Sequence, residues 1–131
     1  MALAERPCTP CRGGVNPLTP SECASYLAEV PDWELRNEGR VVARRFRFPD
    51  YRRALAFANA VSVLAEETWH HPELVLGFGF CEVSLTTRKI GGLHESDFVM
   101  AARIDALASG PLDSAWLPPL PPPKNMERKA R

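Results

Sequence analysis

Hydrophobic positions recur at two spacings along the chain, and these spacings predict both helices and strands. An apolar stripe at positions i, i+3, i+4 and i+7 consists of Cys23, Tyr26, Leu27 and Val30. It follows Thr19-Pro20-Ser21-Glu22, a capping box in which the threonine hydroxyl and the glutamate can each satisfy an unpaired backbone N–H. A first helix is therefore predicted to begin after Thr19 and to end at Pro31.

Two further helices are predicted from the same kind of pattern. Asp50 can cap the second helix. Its apolar side recurs at helical spacing through Ala54, Phe57, Ala58, Val61, Leu64 and Ala65. Asp97 would lie in the first turn of the third helix, where its charge complements the helix dipole. That helix runs through Ile104 and meets a stop signal at Ser109-Gly110-Pro111.

Four strand segments lie between the helices, at residues 33–35, 41–48, 74–78 and 82–87. The second alternates Arg45 and Arg47 with two phenylalanines, which gives it one polar and one apolar face. The connections are too short for parallel crossovers, so we predict an α+β fold in the order α-β-β-α-β-β-α. Three helices would pack on one face of a four-stranded antiparallel sheet. The opposite face is left for water or another subunit, and it carries Arg45, Arg47, Ser84 and Thr86.

Length and charge balance restrict the classes of function. A chain of 131 residues with 45% hydrophobic and 24% charged residues fits a single globular domain. Sixteen Lys and Arg balance sixteen Asp and Glu, so no net charge favours nucleic acid or an anionic membrane as a partner. No apolar run approaches the ~20 residues that span a bilayer. Because Glu5 and Arg6 stand where a signal peptide would be apolar, we expect a cytoplasmic protein.

The two ends of the chain differ from the domain assigned to residues 19–110. Residues 1–18 contain Cys8, Cys11 and three prolines without apolar periodicity, which predicts a flexible arm. Their Cys-x-x-Cys spacing lacks the second pair of a zinc ribbon. Residues 111–131 hold six of the thirteen prolines and a basic end. We expect a disordered tail there, with a P-x-x-P ligand segment as the alternative.

The densest group of titratable side chains is Glu66-Glu67-Thr68-Trp69-His70-His71-Pro72-Glu73. Imidazole exchanges protons near neutral pH, so two histidines side by side at a proline-locked junction can flank one bound molecule. A solvated junction, or one buried and hydrogen-bonded histidine, explains the pattern equally well. Zinc is a weaker alternative, because neighbouring histidines seldom ligate one metal and His94 and Cys81 complete no recognised spacing. We expect neither a metal nor a cofactor.

A longer motif joins these residues to the third helix. Glu66, three spacers and His70-His71-Pro72 are followed by an aromatic residue, Phe78, and finally by Asp97. Further segments of the same pattern are Pro31-Asp32-Trp33, 54–59 and 92–98. In these residues the chain resembles the pterin-4a-carbinolamine dehydratase family, and the resemblance covers nearly all of the chain before its tail.

The resemblance implies a reaction and a set of site residues. The family reaction eliminates water from a hydroxylated pterin, so that one group takes a ring N–H proton while another protonates the leaving hydroxyl. The implied site consists of His70 and His71 for proton transfer or pterin binding, and of Glu66, Pro72, Phe78 and Asp97 for substrate binding. Arg88 stands where the family has a further histidine. Arginine, with a pKa above ~12, cannot exchange protons in this way, and losing one proton-transfer partner would lower the rate by ~10²–10⁴.

This departure at Arg88 leads to two hypotheses of function. The first, which we favour, is a non-catalytic branch resembling the dehydratase-like RuBisCO assembly factors of α-carboxysomes. In that case the protein is a chaperone or scaffold that serves carbon fixation, with RuBisCO as partner and a carboxysome association. The second is an active dehydratase that recycles the tetrahydrobiopterin cofactor of aromatic amino-acid hydroxylases, with His70 and His71 handling both proton transfers. For either hypothesis the resemblance implies homodimers or homotetramers formed through the sheet.

Overall fold

The computed structural model describes residues 2–8 and 13–112 of the chain. Two predictions fall wholly or partly outside these ranges. The proline-rich tail lies beyond them from residue 113 onward, and the Cys-x-x-Cys pair is described only at Cys8. Both stay predictions. Within the described ranges no helix is long and apolar enough to cross a membrane.

Three α-helices and four strands follow one another in the predicted order within the described residues. The helices are α1 (Pro20–Leu27), α2 (Tyr51–Thr68) and α3 (Glu95–Ser109). The strands are β1 (Glu34–Arg36), β2 (Val41–Arg47), β3 (Glu73–Gly77) and β4 (Phe80–Leu85). They form one sheet in the order β1-β2-β4-β3, and every neighbouring pair is antiparallel. The predicted α+β fold is therefore confirmed.

The capping box predicted for the first helix is present. Thr19 Oγ1 accepts the backbone N–H of Glu22 at 3.2 Å, and the Glu22 carboxylate accepts that of Thr19 at 2.9 Å. The helix ends at Leu27 rather than at Pro31. Beyond it the backbone tightens, because the N–H of Val30 donates to the carbonyl three residues earlier, at 3.0 Å. This turn still carries the Val30 side chain into the core.

Strand β4 begins two residues earlier than predicted, at Phe80 instead of Glu82. The turn before it consists only of Phe78 and Gly79, so the pairing of β3 with β4 extends as far as Gly77 and Phe80. Gly79 has a φ of +82°, a conformation that other residues adopt only with strain. Phe78 is left at the tip of this tight turn, with 76% of its surface exposed.

The hydrophobic core lies between the helices and one face of the sheet. Phe57 of α2 and Phe98 of α3 are fully buried there, as is Val83 on the facing side of β4. Full burial of a large apolar side chain stabilises a fold by about 1.5–3 kcal/mol. Arg45 and Arg47 are exposed on the other face of the sheet, as the alternation along their strand predicts.

The N-terminal segment 2–8 packs on the body, which corrects the prediction of a flexible arm for this part of residues 1–18. Leu3 lies in a short 3-10 helix that contacts α3, and its side chain is buried. The Arg103 guanidinium on α3 donates to the backbone carbonyl of Ala4 at 3.1 Å. One buried leucine and one bond to a carbonyl leave no periodic signal, so the sequence pattern does not reveal this packing.

Candidate active site

An open cleft of about 640 Å³ lies where the end of α2 and the start of β3 meet the end of β4. Its walls are residues 69–73 and 86–89, Ser84, Asn37 of the β1–β2 connection, and Val41 at the start of β2. A volume of this size is typical of sites for small organic ligands. The histidine junction identified in the sequence therefore faces a cavity that can hold a ligand.

An irregular segment after α2 brings the histidines to this cleft. The helix ends at Thr68, and Trp69 follows in a left-handed conformation with a φ of +53°. This conformation is strained for a bulky residue. Pro72 cannot continue a helix, and β3 begins immediately after it. The chain thus leaves α2 abruptly, and both His70 and His71 lie on the short stretch that lines the cleft.

Asp97 is a fully buried carboxylate that links the cleft to α3. Its Oδ2 accepts the Thr87 hydroxyl at 2.7 Å and the backbone N–H of His94 at 2.9 Å. Its Oδ1 lies 2.6 Å from Nε2 of His70. The bond from the His94 N–H belongs to a capping box. One carboxylate therefore both starts α3 and holds the imidazole of His70.

The bond to Asp97 decides which nitrogen of His70 can act as a base. An ionised carboxylate only accepts hydrogen bonds, so we place the proton of the neutral ring on Nε2. Nδ1 then keeps a lone pair that can take a proton from a ligand. The side chain is only 10% exposed, and the bond to a buried carboxylate fixes the orientation of the ring.

His71 forms a second pair of the same length in a more exposed position. Its Nε2 lies 2.6 Å from Oε2 of Glu66, and the two side chains are 47% and 68% exposed. The Trp69 ring meets the imidazole edge-on, with ring centroids 4.8 Å apart and planes at 84°. The His71 side chain is therefore open to water, whereas that of His70 is sheltered from it.

Arg88 stands at the rim of the cleft, at the start of the short 3-10 helix Arg88–Ile90. Its guanidinium lies 3.0 Å from Oε2 of Glu73, and the two side chains are 80% and 75% exposed. The bonds that hold the two histidines run to Asp97 and Glu66 instead. Arg88 is therefore placed to contact a ligand from the rim.

The structure gathers most of the site residues that the sequence predicts. Those that line the cleft are His70, His71, Pro72 and Arg88. Glu66 and Asp97 each hold one of the histidines. Phe78 is separate from them, because it lies at the exposed tip of the β3–β4 turn and is not among the described residues that line the cleft.

The sequence pattern does not reveal three further contributors, Trp69, Thr87 and Asn37. Thr87 acts through a bond to Asp97, ten positions away, and no local motif signals such a contact. Among the described residues, no group of three or more His, Cys, Asp or Glu side chains could hold a metal ion.

Comparison with known sequences relates the body of the chain to one family. Residues 16–107 match the family described as pterin 4 alpha carbinolamine dehydratase. A protein of Halorhodospira halophila, provisionally named pterin-4-alpha-carbinolamine dehydratase, is 44% identical over 109 residues, which cover 83% of this chain and 100% of that protein. A protein of Rubrobacter xylanophilus with the same provisional name is 48% identical over 105 residues, which cover 80% and 97%.

The solved structures that resemble this fold include the following two. One is a transcriptional coactivator/pterin dehydratase from Brucella melitensis, with 31% identity and a TM-score of 0.67 over 71% of this chain and 99% of the other. The second is a pterin dehydratase-like protein identified as a RuBisCO assembly factor in the α-carboxysome. Its identity is 30% and its TM-score is 0.53, over 61% of this chain and 93% of the other.

Proposed function

The chain belongs to the pterin-4a-carbinolamine dehydratase family, and we propose that it eliminates water from a hydroxylated pterin in the cleft that holds His70 and His71. One observation carries this proposal, the 2.6 Å pair of His70 with the buried Asp97. Two histidines on one cleft can serve as base and acid, and a dehydration needs both because one proton must be taken and another given in the same site.

His70 is the base in this proposal. Its Nδ1 takes the proton from the ring nitrogen of the substrate, and the electron pair of that N–H bond forms a C=N bond to the neighbouring carbon. The C–O bond to the hydroxyl breaks as the C=N bond forms. The protonated imidazole is stabilised by the Asp97 carboxylate at its other nitrogen.

His71 is the acid. Its protonated ring is held by Glu66, and it gives its proton to the departing hydroxyl, which leaves as water. One turnover ends with His70 protonated and His71 neutral, and the exposed side of the site allows proton exchange with water to restore the starting state. Trp69, exposed and at the wall of the cleft, offers an aromatic face on which the pterin rings can stack.

Arg88 has no proton-transfer role in this scheme, and it makes the motif less effective than one with histidine at that position. A third group able to exchange protons would share the two transfers that His70 and His71 perform alone. We therefore expect Arg88→His to raise turnover. The substitution leaves both histidine–carboxylate pairs in place, since Arg88 is bonded to Glu73 and not to either of them.

The test is steady-state dehydration of a pterin carbinolamine by the purified protein and three variants. His70→Gln and His71→Gln should each lower kcat/KM by ~10²–10⁴. His94→Asn is the matched control, because asparagine keeps the helix cap and the backbone N–H to Asp97 is unchanged. Negligible turnover by the wild-type protein, or full activity in His71→Gln with its fold verified by thermal unfolding, would refute the proposal.

A second candidate function is the assembly of RuBisCO. The likeness to the assembly factor, at 30% identity and TM-score 0.53, favours it. The resemblance drawn from the sequence, in which Arg88 takes a histidine position, agrees with it. We infer for this case a scaffold role that does not need the two proton transfers. Co-production should then raise the yield of assembled RuBisCO, equally with the wild-type protein and with His71→Gln, and an unchanged yield counts against the role.

A further inference from the structure

A second cavity of about 570 Å³ adjoins the cleft. It shares four wall residues with the first, Asn37, Val41, Thr86 and Arg88. Because these residues line both, the two cavities lie side by side, and we call them together the trough. The first cavity alone is large enough for a compact bicyclic ligand. The second cavity therefore has space for a substituent that extends from such a ligand past Arg88.

The walls of this trough are richer in cations than in anions. They carry three cationic side chains, Arg40, Arg88 and Lys89, against the carboxylates of Glu38 and Glu73. Both side chains of the Arg88–Glu73 pair are exposed. Those of the Arg40–Glu38 pair are exposed as well, and the N–O distance between them is 3.7 Å. Exposed ion pairs of this kind contribute little to stability, so a ligand anion can take the place of either glutamate.

The connection between β1 and β2 holds Arg40 at the far end of the trough. Asn37 and Glu38 have φ values of +52° and +59°, and Gly39 has +82°. Two consecutive non-glycine residues in this region are uncommon. The Thr86 hydroxyl donates to the backbone carbonyl of Arg40 at 2.6 Å and ties the turn to the end of β4. The end of the trough is thus fixed by a tertiary bond in addition to the turn itself.

We propose that this trough binds a phosphate group on the side chain of the pterin substrate, with Arg88 and Arg40 as its ligands. The inference rests on the proposed function, since it assumes that the pterin rings occupy the cleft beside His70. A guanidinium matches phosphate oxygens in geometry and can bind two of them at once. A phosphate carries up to two charges, so it competes with the single charge of Glu73 or Glu38 for these arginines. Arg88 then determines substrate class.

The experiment measures the affinity of the full chain for 7,8-dihydroneopterin and for its phosphate monoester by calorimetry. The wild-type protein should bind the phosphate ester ~10-fold more tightly. In Arg88→Gln and in Arg40→Gln this ratio should fall toward one. In Arg40→Gln, whose side chain lines only the second cavity, the affinity for the uncharged compound should stay within about twofold. Arg47→Gln, which changes an exposed arginine on the outer face of the sheet, is the matched control and should keep the wild-type ratio.

Raised salt should reduce the preference for the ester in the wild-type protein, because exposed charges are screened. Equal affinity of the wild-type protein for both compounds, together with normal turnover of an uncharged carbinolamine, would overturn the phosphate site and leave the dehydratase proposal standing. Absence of binding and of turnover would overturn both. A pterin with a carboxylate in place of the phosphate separates the two anion types, and equal tightening by it would overturn the assignment to phosphate.

Discussion

The two histidine–carboxylate pairs of the cleft have the same length and opposite surroundings. His70 and Asp97 lie 2.6 Å apart with side chains 10% and 0% exposed. His71 and Glu66 also lie 2.6 Å apart, with side chains 47% and 68% exposed. The comparison shows that distance alone does not define the role of such a pair. Burial decides whether the pair supports the fold as well as the chemistry.

The buried pair is part of the structure because Asp97 serves three donors at once. It accepts from Thr87, from the backbone N–H of His94 and from His70. Removal of a buried acceptor leaves each donor without a partner in a site that water enters poorly. The exposed pair lacks this coupling, since water can replace Glu66 as the partner of His71.

The strongest test of this contrast is the loss of each carboxylate in turn. Asp97→Ala should lower the free energy of unfolding by about 3–5 kcal/mol, because a buried, charged hub is broken. Glu66→Ala should change it by less than ~0.5 kcal/mol, as an exposed substitution. Urea denaturation measures both values. Similar losses in the two variants would contradict the distinction between them.

The Thr87 hydroxyl, which donates to Asp97, provides a second test of the buried pair. Thr87→Val keeps the shape of the side chain and removes one bond to the buried carboxylate, so stability should fall by about 1.5 kcal/mol. Thr68→Val is the control, because the Thr68 hydroxyl bonds to a backbone carbonyl within its own helix, 2.9 Å away. The loss of stability in Thr68→Val should be smaller than that in Thr87→Val. An unchanged unfolding midpoint in Thr87→Val would show that Asp97 does not depend on this donor.

A substitution of Trp69, on the exposed side of the cleft, should have opposite effects on stability and on substrate binding. Trp69→Asn places a residue that tolerates the left-handed conformation at this position, so the free energy of unfolding should rise by about 1 kcal/mol. The same change should raise KM for the pterin ~10-fold through lost stacking. Trp69→Phe keeps an aromatic ring and should keep KM near the wild-type value. A wild-type KM in Trp69→Asn would exclude the stacking role.

Glu82 offers a carboxylate outside the cleft, on the outer face of the sheet. A hydrogen bond from Arg36, with a further one from Arg45, holds its pKa below the ordinary value. Its contribution is therefore present above the unfolded pKa of ~4.3 and is lost as pH falls through the lower folded pKa. We expect stability to fall by about 0.5 kcal/mol more in the wild-type protein than in Glu82→Gln between pH 5 and 3. Parallel pH curves would contradict this.

The helices and strands of the fold could be predicted from local sequence patterns. The stripe that includes Phe57 predicts α2, and the alternation around Arg45 predicts β2, because each periodicity follows from the backbone geometry of its element. The residues at which these elements begin and end were harder to predict. The early end of α1 at Leu27 and the early start of β4 at Phe80 depend on turns whose hydrogen bonds do not follow either period.

For the site, the sequence could predict which residues take part but not which of them are in contact. The motif selects His70, His71 and Asp97, and Arg88 as the departure, yet it places Phe78 with them. The structure leaves Phe78 exposed at a turn and brings in Thr87. A motif records positions along the chain, whereas a contact depends on which elements the fold sets side by side.

The sequence by itself determined the order of helices and strands, the faces that are buried, and the family to which the chain is similar. Only the tertiary structure decided that one histidine is sheltered and held by Asp97 while its neighbour is exposed and held by Glu66. The physical reason is the range of the interactions. Period and capping act over three or four residues, while the bond from His70 to Asp97 joins positions 27 apart and forms only when α2 and α3 pack together.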